Sequence, residues 1–134
     1  MTAATTTTTT TFVCFRTARG QFALPVEVTL AVRRTDGLVD LPAPRPDIVG
    51  VLPGEPPITV LSALGGGANH ILVVSCDDQR YGLHVLEVVG VRRVDNEQIG
   101  PAPKGQEGGL ISGVLNIGAD MVLIADARAL AARL

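Results

Sequence analysis

The chain has 134 residues, enough for one compact domain or two small ones that share a core, and 46% of them are hydrophobic. The net charge is −2 and basic residues cluster only in pairs, so the basic stripe typical of nucleic-acid binding is missing. No apolar run reaches the roughly 18 residues of a membrane span, and the N-terminal segment does not resemble a secretory signal. We therefore expect a cytoplasmic protein.

Composition favours β-structure. The sequence has no Trp, one Tyr and three Phe, so the core must be filled mainly by aliphatic side chains, among which valine is common. Fifteen Gly and nine Pro predict many turns and argue against a helical bundle. Segment 1–11 is rich in threonine and has no apolar face to bury, so we predict a disordered tail followed by an ordered domain at 12–134.

Short strands are predicted throughout the first half of the domain. Alternating residues at 12–17 and 21–24 indicate a hairpin that turns at Gly20. Segment 26–32 suits either a strand or a short helix. Further strands are predicted at 38–41, 48–52 and 58–61. The glycines at 65–67 predict a flexible break between two subdomains.

The second half predicts three more strands, a hairpin and a helix. The strands lie at 71–74, 81–86 and 88–94, with a turn at 77–79, and a polar segment at 104–109 predicts a mobile loop. A hairpin follows, with strands at 110–117 and 121–125 joined by a turn at 118–120. Asp126 is predicted to cap a C-terminal helix, of which Ala127, Leu130, Ala131 and Leu134 share one face.

Residues that could carry chemistry are scattered. His70 and His84 lack metal-ligand spacing, and Cys14 and Cys76 lie within predicted strands, where free cysteines are usually buried. A small hydrolase would have to draw its triad from Ser62, Ser75, Ser112, His84 and Asp95, for which no motif is present. We expect no catalytic residue, no metal and no cofactor.

The order of the elements resembles the CheW-like domain, the scaffold domain of bacterial chemosensory arrays, over residues 12–134. The resemblance lies in Phe22-Ala23-Leu24, the Gly50-Val51 step, the strand at 58–61, the Gly-aliphatic strand at 82–85, the Pro-x-Pro exit at 97–103 and the final hairpin at 111–125. It implies two five-stranded SH3-like β-barrels packed together, with a C-terminal helix. The first barrel would comprise about 12–64 plus 118–134 and the second about 70–117.

The resemblance also implies a non-enzymatic adaptor. Such a protein binds the regulatory domain of a CheA-type histidine kinase and the cytoplasmic tip of a chemoreceptor, and it joins membrane-associated arrays without inserting into the membrane. The implied kinase-binding residues are Val49, Val51, Leu52 and Pro53. The implied receptor-binding residues are Thr29, Ile71, Leu72, Gly82 and Val91.

One departure from the family pattern motivates a second hypothesis. Leu52-Pro53-Gly54 stands where family members usually carry an Asn-Leu-Arg-Gly turn. The alternative is a divergent CheW-like protein that has lost one interface, and that caps arrays, competes with a fuller scaffold or serves a pathway other than motility.

Overall fold

A computed structural model describes residues 8–40, 47–102, 109–117 and 120–134, in which eleven strands and one α-helix are found. Most of the predicted loop at 104–109, the turn at 118–119 and the tail at 1–7 lie outside the described residues. The elements are β1 (Thr9–Thr17), β2 (Gly20–Pro25), β3 (Thr29–Arg34), β4 (Ile48–Leu52), β5 (Ile58–Leu61), β6 (His70–Cys76), β7 (Gln79–Val85), β8 (Glu87–Asp95), β9 (Ile99–Pro101), β10 (Ile111–Ile117), β11 (Asp120–Ala125) and α1 (Ala127–Ala131). Short 3₁₀ helices cover Val26–Val28 and Asn96–Gln98.

The strands form two sheets. The six-stranded sheet has the order β8-β1-β2-β11-β10-β9, and the five-stranded sheet has the order β3-β6-β7-β5-β4. The predicted class is confirmed: the domain is mainly β, with two packed sheets and one C-terminal helix. One sheet has six strands where five were expected, because the short strand β9 adds to β10.

The predicted division of the chain between the two barrels was wrong. The five-stranded sheet is built from the continuous segment 29–85, and the six-stranded sheet combines 9–25 with 87–125. The predicted break at the glycines does not separate the sheets. Gly67 packs so closely on the Val85 backbone that a Cβ atom would overlap it. Strand pairing depends on contacts between distant residues, and local sequence patterns do not reveal them.

The first strand begins earlier than predicted. Thr9 to Thr11 pair with residues 93–95 of β8, although they were assigned to the disordered tail. The Thr10 hydroxyl donates to Asn96 Oδ1 at 2.7 Å, and Arg93 Nε donates to the Thr9 hydroxyl at 3.2 Å. Threonine suits a strand when a partner strand is available, and β8 is that partner.

Two segments of the first half differ from simple strands because of the elements that flank them. Segment 26–32 contains both predicted forms, a single 3₁₀ turn followed by β3, because the chain crosses there from one sheet to the other. The strand predicted at 38–41 is reduced to one bridge, in which Val39 exchanges backbone hydrogen bonds of 2.8 and 2.9 Å with Val51.

The described core consists of three clusters. The largest, here called the shared core, lies between the sheets and joins side chains of both, such as Phe15 and Phe22 with Leu72 and Tyr81. A second cluster is enclosed by the six-stranded sheet, and its members come from strands as far apart as β8 and β9. A third is enclosed by the five-stranded sheet around Ile71. Each sheet therefore curls around its own interior and packs its outer face on the other.

The C-terminal helix docks on the shared core. The Asp126 carboxylate accepts hydrogen bonds from the backbone N–H groups of Arg128 and Ala129, both at 3.1 Å, which confirms the predicted cap. Leu130 is completely buried. The Tyr81 hydroxyl donates to the Ala127 carbonyl oxygen at 2.7 Å and so ties the helix to β7.

The first prediction concerns this docking. Leu130→Ala should lower the free energy of unfolding by about 2–5 kcal/mol, because it leaves a cavity in the shared core. Urea denaturation followed by circular dichroism measures the change. Leu134→Ala, at a side chain 37% exposed, is the control and should lose less than about 1 kcal/mol. Equal effects of the two changes would contradict the docking.

The second prediction concerns alkaline pH. Burial raises the pKa of Tyr81 above the ordinary value near 10, so the unfolded chain ionises first and the free energy of unfolding falls as pH rises above about 10. Denaturation at about pH 9 and about pH 11 should show a larger loss in the parent than in Tyr81→Phe. Because the chain has a single tyrosine, its phenolate absorbance reports this group alone. Ionisation in the folded protein at an ordinary pKa would refute the prediction.

Candidate partner-binding surfaces

Three of the predicted receptor-binding residues are buried. Ile71 and Leu72 are at most 1% exposed; Ile71 belongs to the interior of the five-stranded sheet and Leu72 to the shared core. Gly82 is also buried and lies beneath the Ile71 side chain. These residues are covered by the shared core on one face of the sheet and by the sheet's own interior on the other. The prediction of direct contacts by these three residues was therefore wrong.

The other two predicted receptor-binding residues lie on edge strands. Val91 on β8 is 66% exposed, the largest fraction among the large hydrophobic residues described. Thr29, at the start of β3, is partly exposed, and its hydroxyl donates to the Val26 carbonyl oxygen at 2.9 Å. Both β3 and β8 end their sheets on one side, and no other strand of the described segments pairs with their outer edges.

The register shows which way these side chains point. Val32 is paired with Leu72, and Val91 is paired with Val13; both partners belong to the shared core. Directly paired residues project to the same face of a sheet, so Val32 and Val91 extend the shared core outward. Val32 is 47% exposed.

The two edges border the same opening between the sheets. Strand β6, the partner of β3, contacts β8, and the 3₁₀ helix before β3 contacts both β1 and β6. Val88 of β8 packs partly against the shared core. We call this strip, formed by Thr29, Val32, Val88 and Val91, the inter-sheet margin.

The predicted kinase-binding residues lie at the opposite edge of the five-stranded sheet. Val49 and Val51 are partly exposed and Pro53 is exposed, whereas Leu52 is 2% exposed and packs inside the sheet. Direct contact by Leu52 was therefore a wrong prediction, since alternate residues of a strand face opposite sides.

Val39 contributes an apolar side chain to this edge that the sequence analysis missed. It bridges to Val51, so the two side chains share a face, and Val39 is 53% exposed. We call Val39, Val51 and Pro53 the β4 edge patch. The sequence analysis also missed Val32. It recognised the alternation at 26–32, but only the strand register shows that Val32 lies on an edge strand.

The histidines are engaged with the backbone. His84 Nδ1 accepts from the Gly67 N–H at 3.3 Å, and His84 Nε2 lies 3.0 Å from the Ala68 carbonyl oxygen. His70 Nδ1 lies 3.3 Å from the Leu86 carbonyl oxygen. These contacts hold the loop that enters β6 and the crossover from β7 to β8. Among the described residues no group of three or more potential metal ligands is found.

Cys14 lies in a small pocket that the six-stranded sheet forms with Gln21, Val89 and Asp120. Burial raises the pKa of its thiol, and the nearby Arg92 guanidinium opposes this only in part. The thiolate is the nucleophilic form of cysteine, so this environment disfavours nucleophilic chemistry.

A wider cavity of about 330 Å³ lies beside the start of α1 and is lined by residues that include Val28, Cys76 and Ile124. Its charged groups have partners within the chain. Asp126 caps the helix, and Arg128 Nε lies 2.8 Å from Asp77 Oδ2. The cavity therefore offers a ligand mainly apolar walls.

The described structure thus has two exposed apolar edges on a pair of packed sheets, and both histidines contact backbone groups. A model of the CheW-like domain matches residues 11–134. The chain belongs to the CheW-like domain family. The CheW-like chain superposes on the crystal structure of scaffolding protein TtCheW from Thermoanaerobacter tengcongensis with a TM-score of 0.78, over 89% of this chain and 90% of that one, at 20% sequence identity. This likeness shows a shared fold. The comparison with curated proteins gives no match.

The one described α-helix of this CheW-like chain is short. Within residues 8–40, 47–102, 109–117 and 120–134, no helix has the length and apolar character needed to cross a membrane.

A third prediction tests the correction at Gly82. A Cβ atom there would lie 2.6 Å from Cγ2 of Ile71 and 3.2 Å from Cγ2 of Val60. Gly82→Ala should therefore overpack the interior and lower the free energy of unfolding by about 1–3 kcal/mol. Gly100→Ala, where the nearest atom would be 3.9 Å away, is the matched control. A Gly82→Ala protein with parental stability and impaired partner binding would return Gly82 to the binding surface.

Proposed function

We propose that this chain is a non-enzymatic adaptor that holds a chemoreceptor tip and the regulatory domain of a CheA-type histidine kinase together. Membership of the CheW-like family supports a scaffolding role. The observation that carries the proposal is the presence of two exposed apolar edges, the inter-sheet margin and the β4 edge patch, with three strands between β3 and β4 in the sheet order. The adaptor works in the cytoplasm and reaches the membrane through its receptor.

The inter-sheet margin is the proposed receptor site. It presents Val32 and Val91 from two strands beside a shared core that is already packed. A helix with an apolar stripe at i, i+3, i+4 and i+7 can lie along such a strip and cover both side chains. Thr29 stands at the β3 side of the strip, and the buried Leu72, which is paired with Val32, supports it from the shared core. Ile71 and Gly82 lie on the opposite face of the sheet and act only through its packing.

The β4 edge patch is the proposed kinase site. Val39, Val51 and Pro53 supply exposed apolar surface, and Val49 and Leu52 anchor the strand in the interior of the sheet. Contact must occur mainly through side chains there. The Val39 bridge already occupies the backbone N–H and carbonyl groups of Val51 that an added strand would need.

The same bridge favours a second candidate function. A kinase domain that extends the sheet by strand addition would find β4 blocked at Val51, and the turn usual in the family is replaced by Leu52-Pro53-Gly54. A CheW-like protein that binds receptors but not the kinase would cap or compete within an array.

The fourth prediction separates the two surfaces. Val91→Asp should weaken binding to a receptor cytoplasmic fragment by about tenfold or more and leave kinase binding unchanged; Val51→Asp should do the reverse, because a charge cannot be buried unpaired at either contact. Isothermal titration calorimetry with each purified partner measures both. Met121→Asp, at a residue 60% exposed on β11, is the control.

Binding measurements on the parent protein distinguish the two candidate functions. Binding to both partners supports the coupling adaptor, and binding to the receptor fragment alone supports the capping protein. Absence of binding to either partner up to roughly 100 μM, an affinity of about −5.5 kcal/mol, would refute both.

A further inference from the structure

We propose that the inter-sheet margin selects a partner helix that carries carboxylates at both ends of its apolar stripe, received by Arg34 at one end and by Arg93 at the other. This inference rests on the proposed function, because it specifies the chemistry of the helix that binds there. It adds a charge requirement to a contact so far argued from apolar side chains alone.

Arg34 lies at the end of the margin near the start of β8. It is paired with His70, which is paired in turn with Val85 of the shared core, so Arg34 projects to the same face as Val32. His70 Nδ1 lies 3.3 Å from the carbonyl oxygen of Leu86, the residue that directly precedes β8. Arg34 is therefore placed beside the first residues of that strand.

Arg93 lies toward the opposite end. It is paired with Thr11, two residues from the Val13–Val91 pair, and so projects to the same face as Val91. The start of β3 belongs to this end, since Pro25, which directly precedes the 3₁₀ helix before Thr29, is paired with Phe12, and Phe12 is paired with Arg92. Strands β3 and β8 thus run in opposite directions along the margin, with an arginine near each end and valines between.

The spacing suits a short helix. The first residue of β8, Glu87, is paired with Arg16, and Arg93 is paired with Thr11, so five residue steps along β1, or about 17 Å of strand, separate the two ends. An α-helix covers that distance in about eleven residues, or three turns. Carboxylates about three turns apart, with apolar residues between them on one face, would reach both guanidinium groups.

The positive charge of the margin is not neutralised within the described residues. The three ion pairs found there are Arg16–Glu87, Arg128–Asp77 and Arg133–Asp47, and none includes Arg34 or Arg93. The Arg93 side chain donates to the neutral hydroxyl of Thr9, its one hydrogen-bond partner in the part of the chain that the structure describes.

Two of the three carboxylates near the margin already have partners. Glu87 accepts from Arg16 at 2.8 Å, and the side chain of Asp95 accepts from the backbone of its own 3₁₀ turn. Glu27 is exposed on the 3₁₀ helix before β3. Because the guanidinium fork matches a carboxylate with two parallel hydrogen bonds, acidic side chains are its natural partners.

The valines at the centre of the inter-sheet margin favour a protein helix over a nucleic acid as the partner. A nucleic acid would need a continuous basic track along its phosphates, whereas the margin has valines between its arginines. An acidic, amphipathic protein helix satisfies both the centre and the ends.

The test uses three synthetic helical peptides of about 18 residues with one leucine stripe, a length at which helicity is sustained. They carry Glu, Gln or Lys on both flanks. Fluorescence anisotropy with the full chain should show the Glu peptide binding at least about tenfold more tightly than the Lys peptide, with a difference that shrinks as salt rises. The Arg34→Glu/Arg93→Glu double variant should reverse this order. Arg80→Glu on β7, where the arginine is also exposed, should not.

The outcomes separate this inference from the proposed function. Equal affinity for the three peptides, with binding still abolished by Val91→Asp, would overturn the charge requirement and leave the receptor site standing. Peptide binding that Val91→Asp does not weaken would refute the inter-sheet margin as the receptor site. A dimer of the parent chain that the double variant dissolves, seen by analytical ultracentrifugation, would assign the margin to a second copy and refute the proposal. Circular dichroism melts equal to the parent establish that the variants are folded.

Discussion

Packing between the two sheets is the constraint on which the rest of this structure depends. Neither sheet is large enough to bury much apolar surface alone, and the largest cluster of buried residues is the one that they share. Phe15 and Phe22 stack within it with ring centroids 6.0 Å apart, and Tyr81 joins it to the C-terminal helix. The inter-sheet margin exists because this packing ends at two edge strands, where its outermost valines are left partly uncovered.

Polar groups in the interior serve to join segments of chain. The Thr17 hydroxyl, in the only buried polar residue described, donates to the Leu64 carbonyl oxygen at 2.6 Å and ties the first hairpin to the loop after β5. No buried side-chain nitrogen or oxygen among the described residues lacks a hydrogen-bond partner. Here the interior is satisfied, and the features that stand out are on the surface.

Local features were predictable because their causes are local. The turn at Asp77-Asp78 has positive φ at both residues, 50° and 66°, which aspartate tolerates and a two-residue hairpin requires. The Asp126 cap and most strand positions followed from similarly short patterns. Membership of the two sheets did not, because it depends on parallel pairings such as Phe22 with Leu123, which join residues far apart in the chain.

The binding surfaces were predicted less well than the fold, for a physical reason. Ile71 and Leu72 were expected to contact partners, but a run of four apolar residues in an inner strand is covered on both faces. Val91, in contrast, lies on an edge strand and is exposed. Hydrophobicity alone does not distinguish the two situations; the position of the strand within its sheet does.

The continuity of the five-stranded sheet has a consequence for how the chain folds as it is synthesised. All of its strands lie between Thr29 and Val85, so they can pair once the ribosome has released that segment. Strand β2 must wait for β11, which lies about 100 residues later in the register that joins Ala23 to Ile124. Domains tend to form N-terminal parts first during translation, but here all five strands of an internal segment have been synthesised before the first hairpin has its neighbours. The six-stranded sheet, which carries Val91 and Arg93, closes last, so the inter-sheet margin forms only when the whole domain is made.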